Sequence, residues 1–242
     1  MTDDEYWTYP PEQGLARYGE FRLTMVEPPY AAGAEELPEH DPGRAREFAA
    51  GLRTVAAVVD EEERIGATER MAFGTREDLG LVGVGCWGPV SEANDPALAF
   101  AGGTFPLAEQ ADELVERFPG AVVIGSATVD HPLTFHTHVF HHPSGARLFA
   151  AGWAGEEDWD VEGSPYEIAE AFGIPSGALA ERGVQLGARP GDFAWEGLTR
   201  LALRSVGPLL RTGRELSVFR VRRTEGTAGD LEETWIDDGG AF

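Results

Sequence analysis

The sequence predicts an α+β protein: a mixed, largely antiparallel sheet with a central hairpin, packed by three to four helices. Three observations predict it. Two strand-like runs, 133–142 and 146–153, are separated only by Pro143-Ser144-Gly145, a link short enough to dictate an antiparallel hairpin. Segments of helical period fall between groups of strands instead of alternating with them one for one. The run Ala121–Val129 is apolar on both faces, as an interior strand requires.

The elements follow in order. Residues 20–26 alternate, with Phe21, Leu23 and Met25 on one face, which is a strand signal ended by Pro28-Pro29. Residues 30–41 form a polar loop. Asp41-Pro42 pairs an N-cap with proline at the first helical position. Ala45, Phe48, Ala49, Leu52, Val55, Ala56 and Val59 then recur at helical spacing, predicting one amphipathic helix that gives out at the acids Asp60–Glu63. Leu81–Trp87 reads as a strand whose Gly83 and Gly85 admit the close approach of another backbone. Asn94-Asp95-Pro96 marks a turn. Leu107, Ala111, Leu114, Val115 and Phe118 line the next helix, which Pro119-Gly120 terminates. After the hairpin, 155–163 reads as an acidic loop, 165–172 and 176–182 as helices, and Asp192 to Arg211 as a longer helix that Gly207-Pro208 kinks or breaks. Strands near 216–223 and 231–236 finish the chain. With no repeat and no low-complexity linker, residues 1–242 read as a single globular domain.

Composition narrows the function classes. The single cysteine, Cys86, rules out an intrachain disulfide, and flanked by Gly85 and Trp87 it reads as a small buried hydrophobe. The N-terminus Met1-Thr2-Asp3-Asp4-Glu5 is acidic where a secretory leader is basic, and apolar runs fall short of a membrane span, so a cytoplasmic location is expected. Every one of the nineteen cationic residues is arginine, the mark of a GC-rich genome. The net charge of −23 opposes nucleic acids and anionic membranes as partners and favours a basic protein. Residues 200–223 are the exception, with seven arginines against one acid. Pairing with acids elsewhere, such as Asp230, Glu232, Glu233, Asp237 and Asp238, is the plainer reading; anion binding by Arg220 and Arg222 is the alternative.

One cluster carries possible chemistry: His131, His136, His138, His141 and His142. On a strand, side chains two apart share a face, so His136, His138 and His142 point one way, with Phe140 between them, and His141 points the other. Imidazoles at i and i+2 can reach one transition metal such as zinc, with Asp130 or His131 adding a ligand across the turn. The plainer reading is a polar strand face stacked on Phe135 or Phe140. Neither a histidine triad nor HExxH nor C-x-x-C is present. Asp158-Trp159-Asp160-Val161-Glu162-Gly163 echoes half of an EF-hand loop, but its twelfth position is Ala169, with Glu170 one residue late. Ala169 to Gly173 and Leu179 match helix-turn-helix spacing, yet the second helix offers few base-reading side chains, and a plain two-helix corner is expected.

The opening Tyr6-Trp7-Thr8-Tyr9-Pro10-Pro11, the Gly85-Cys86-Trp87-Gly88 segment and the Phe135–His142 strand resemble an uncharacterised actinobacterial domain-of-unknown-function family. That resemblance implies no activity, cofactor or site residue. The sequence therefore leads to a soluble acidic protein-interaction module, immunity- or inhibitor-like, with no cofactor. The alternative is a metal-dependent hydrolase using His136 and His138, with His142 as third ligand or proton shuttle.

Overall fold

The computed structural model describes residues 6–30, 37–130, 132–207 and 213–236. Among them, nine strands form one sheet in the order β2-β9-β3-β4-β1-β5-β6-β7-β8. These are β1 (Tyr18–Val26), β2 (Val55–Gly66), β3 (Leu81–Trp87), β4 (Val90–Asn94), β5 (Val122–Asp130), β6 (Thr134–His141), β7 (Arg147–Trp153), β8 (Trp159–Gly163) and β9 (Glu215–Arg223). Each neighbouring pair is antiparallel, so the sheet is larger than expected and not mixed. The β6–β7 hairpin forms as expected but sits toward one edge, with β1 at the centre.

Among the described residues, six α-helices cover both faces: α1 (Pro42–Ala50), α2 (Pro106–Arg117), α3 (Pro165–Ala171), α4 (Ser176–Glu181), α5 (Trp195–Val206) and α6 (Glu225–Trp235). On one face, α2 and α6 bury Leu107, Leu114, Leu231 and Trp235 against Phe21, Leu23, Met25 and Val123. On the same face α1 sets Ala45 and Ala49 on Val82, Val84, Cys86 and Phe219. The opposite face packs Ile168, Leu179, Trp195, Leu198 and Ala202 from α3, α4 and α5 on Ile124, Phe140, Leu148 and Val218. Each fully buried leucine or phenylalanine contributes ~1.5–3 kcal/mol of transfer free energy to this two-sided core.

Several expected elements differ. The helix begun by Asp41, whose carboxylate accepts the Arg44 N–H, ends at Ala50, and Gly51 folds its own N–H back onto Glu47 and Phe48. Val55 onward is strand β2. Its β-branched Val55, Val58 and Val59 suit a pleated edge better than a helix, and pairing with β9, with three register shifts, supplies hydrogen bonds that a sequence window cannot see. Residues 155–163 are not wholly loop, because β7 offers its free edge to β8. Residues 231–235 belong to helix α6, N-capped by Thr224, and Ile236 is its C-cap. Ala228, Leu231 and Trp235 are its buried apolar positions, and local alternation hid them. The long helix ends at Val206, where Gly207 turns extended; Arg211 and Pro208 lie outside the described residues. The glycines of β3 admit side chains, not backbone. A Cβ on Gly83 meets the Met71 sulfur at 2.4 Å, and one on Gly85 meets the Trp87 indole.

No helix among the described residues is long and apolar enough to cross a membrane.

Candidate functional site

The strand β6 places His136, His138 and Phe140 on the face covered by α5. His138 is fully buried. Its ring stacks on His136, with centroids 5.9 Å apart and planes 13° apart, and on Trp195 at 5.8 Å. Trp159, opposite Gly152 on the β8 edge, stacks on His136 at 6.1 Å and on Trp195 at 5.7 Å, so four nearly parallel rings close a quadrilateral. Gly152 makes this possible, because a Cβ there falls 2.5 Å from the Trp159 ring.

The surroundings set the protonation. The Thr199 hydroxyl donates to the Trp195 carbonyl at 3.0 Å, so its 3.4 Å contact with His138 Nδ1 leaves Nδ1–H as donor and Nε2 as a bare acceptor. That Nε2 has no hydrogen-bond partner. Burial, with repulsion from His136, drives the His138 pKa down to about 3. Burial also lowers His136, against the pull of Glu196 and Asp130.

The other histidines do not join them. His141 points to the opposite face, as alternation requires, and meets Asp112 of α2 at 3.4 Å. His142 lies just beyond β6, where its N–H closes the hairpin on Ala146, its Nδ1 meets Ser144 at 2.9 Å, and its ring rests edge-on against Phe172. His131 lies outside the described residues. Stacked imidazoles present faces to each other while their in-plane lone pairs lie side by side. Among the described residues no group of three or more His, Cys, Asp or Glu is placed to hold a metal ion.

Arg220 is drawn to acids other than those the sequence suggested: its Nε meets Glu62 at 2.5 Å and a terminal nitrogen lies 3.8 Å from Glu77. Arg222 is half-buried on the same strand, opposite Ala57. Arg223 is buried and clamps Asp95 through two nitrogens at 2.8 and 3.0 Å. Asp158–Gly163 is not an EF-hand loop: its extended backbone from Trp159 onward pairs with β7. Residues 165–181 form the two-helix corner, with Gly173 left-handed at φ 59° and Ile168, Phe172 and Leu179 committed to the core. Cys86 is buried, and burial raises its thiol pKa.

Two features escaped sequence reasoning. The first is a polar row across the α5 face. His138 is in register with Ser126, Ser126 with Arg22, and Arg22 reaches the buried Glu92 at 3.3 Å and Asn94 at 3.5 Å. These residues come from four strands, so no spacing brings them together. The second is a relay around His40. The Cys86 N–H donates to His40 Nδ1 at 3.2 Å, which leaves Nε2–H to donate to Ser217 at 2.9 Å, and Ser217 donates to Glu61 at 2.8 Å. The isolation of His40 in sequence gave no sign of it.

Both edges of the sheet are acidic. Edge strand β2 carries Asp60, Glu61, Glu62 and Glu63; edge strand β8 and its approach carry Glu156, Glu157, Asp158, Asp160 and Glu162. Arginines take some of them: Arg64 on Glu61 at 2.7 Å, Arg220 on Glu62, Arg189 on Glu157 at 2.6 Å. Asp60, Glu63, Asp158 and Asp160 make no ion pair among the described residues.

Residues 6–238 match the model of a family of unknown function, DUF6333, and the chain belongs to that family. No curated protein and no solved structure matches the chain.

Proposed function

We propose that this DUF6333 member is a binding module whose acidic sheet edges receive a cationic protein, in the manner of an immunity or inhibitor protein. The observation that supports this reading is the placement of the acids. Among the described residues, β2 and β8 are the outermost strands, and each carries carboxylates along a margin with no further strand beside it. An open edge is a template for pairing with another chain. Carboxylates along it repel a second copy of this acidic chain and attract an extended segment rich in arginine or lysine. Long-range attraction from a net charge of −23 speeds the encounter, and salt weakens it.

The test uses a defined cationic peptide of strand-forming sequence, its charge-reversed counterpart, and two variants, D60N/E63Q and D158N/D160N. Binding of the cationic peptide alone is expected, strong at low ionic strength and lost at high, and weakened by at least one variant. Binding by both variants as tight as by the unaltered protein, or no salt dependence, overturns the reading.

A further inference from the structure

The sheet has a gap beside its central strand. All nine residues of β1 are in register with β5 on one side. On the other side β4 pairs only with Leu23–Val26, because the chain leaves the sheet at Asp95 into a 3-10 turn. Among the described residues, Tyr18–Phe21 therefore present a strand margin with no neighbouring strand, while Arg22 lies beside Asn94 at the end of β4. Among the described residues, no backbone hydrogen bond from outside the ladders reaches that margin.

A cavity of about 250 Å³ opens there, lined by Glu20, Arg22, Arg70, Met71, Asn94 and Ser126. Its wall is fixed from below: Met71 seats in the hollow left by Gly83, and Phe73 packs edge-on against Phe21 at 5.1 Å. An exposed ion pair, Arg70 with Glu20, stands at the mouth. Inside, Arg22 is engaged with Glu92 and Asn94. Ser126 lies between Arg22 and His138 in the polar row.

We infer that this gap binds a short peptide of two or three residues in extended conformation, its backbone pairing with the β1 margin. Three features select that chemistry. A strand margin offers alternating N–H and C=O groups, which only a ligand with its own amides answers in register. The mouth holds one anion, Glu20, and one cation, Arg70, so it can take either the ammonium or the carboxylate end of a zwitterion. An exposed pair of this kind contributes little in the free protein, so exchanging it for ligand contacts costs little. A simple anion is disfavoured because Glu92 and Glu20 occupy the two arginines. The volume, at the lower end of ligand pockets, suits a dipeptide better than a cofactor.

The experiment is calorimetric titration and thermal shift of the full chain with Ala-Ala, Ala-Ala-Ala, alanine, and Ala-Ala-Ala methylated at its backbone nitrogens. The di- and tripeptide are expected to bind and raise the melting temperature with concentration, as a ligand of the native state must. Alanine and the methylated peptide are expected to bind at least tenfold more weakly. S126L, which fills the cavity, is expected to abolish binding. R70A, on an exposed side chain, is expected to weaken it while leaving the fold intact, so the proposal stays testable if S126L does not fold. No binding by either peptide, equal binding by the methylated one, or unchanged binding in R70A overturns it. These peptides carry no net charge, so D158N/D160N should bind them normally, which separates this site from the acidic edges.

Discussion

Thr199 stands 3.4 Å from Nδ1 of His138 with its own hydrogen committed to the Trp195 carbonyl, and so it fixes a buried, neutral imidazole with a bare Nε2. Catalysis at neutral pH favours a histidine near its ordinary pKa. This one is held near 3 and roofed by the Trp195 indole, an environment that stores pH sensitivity.

That sensitivity is measurable. The folded pKa of about 3 lies below the unfolded value of ~6.5, so between them the unfolded chain binds the proton and the folded chain does not. Stability is therefore full above pH ~6.5 and falls as pH drops toward 3, by up to ~1.4 kcal/mol per unit. H138L removes the titration and the orphaned nitrogen. Urea unfolding from pH 7 to 4 should show a shallower loss in H138L, with little change at pH 7. An identical slope in both proteins counts against His138 as the source.

The ring stack predicts a metal result. Because His136 and His138 present faces to each other, tag-free protein should carry zinc, iron or nickel well below one equivalent by elemental analysis, unchanged in H136A/H138A. A stoichiometric metal lost in that double variant would revive the hydrolase alternative.

Gly152 holds the quadrilateral open. G152A drives a methyl into the Trp159 ring, so a loss of about 1–3 kcal/mol is expected, together with a changed near-ultraviolet circular dichroism signal from the tryptophans. An unaltered spectrum would mean that Trp159 does not rest over Gly152.

Asp95 anchors a buried ion pair. It is 0% exposed, clamped by Arg223, and accepts hydrogen bonds from the Thr54 hydroxyl at 2.6 Å and the Ala97 N–H at 2.9 Å. D95A leaves a buried guanidinium uncompensated and should cost roughly 3–5 kcal/mol in chemical denaturation. Replacing both partners by apolar residues should cost less than the single change. If D95A loses under 1 kcal/mol, water compensates the arginine.

Local chemistry explains what could be read from the sequence. The hairpin at Pro143–Gly145, the stripe Leu107–Leu114 and the cap at Asp41 are set by neighbours within a few residues, and each stands as expected. The direction of His136, His138 and His141 also followed from period-two alternation. The misreadings came where long-range pairing outweighs a local period. Val55–Gly66 has helical spacing in its first half but finds a partner in β9, and Trp159–Gly163 has loop composition but finds the edge of β7.

The sequence by itself determined the acidic character, the α+β class and the shared face of His136 and His138, because charge and periodicity are properties of the chain. Only the tertiary structure decided that His138 is sealed under Trp195, that Arg22 and Ser126 join it in one row, and that β4 stops short of Tyr18–Phe21. Strand order and register arise from contacts scores of residues apart, and those contacts set burial, partners and openings.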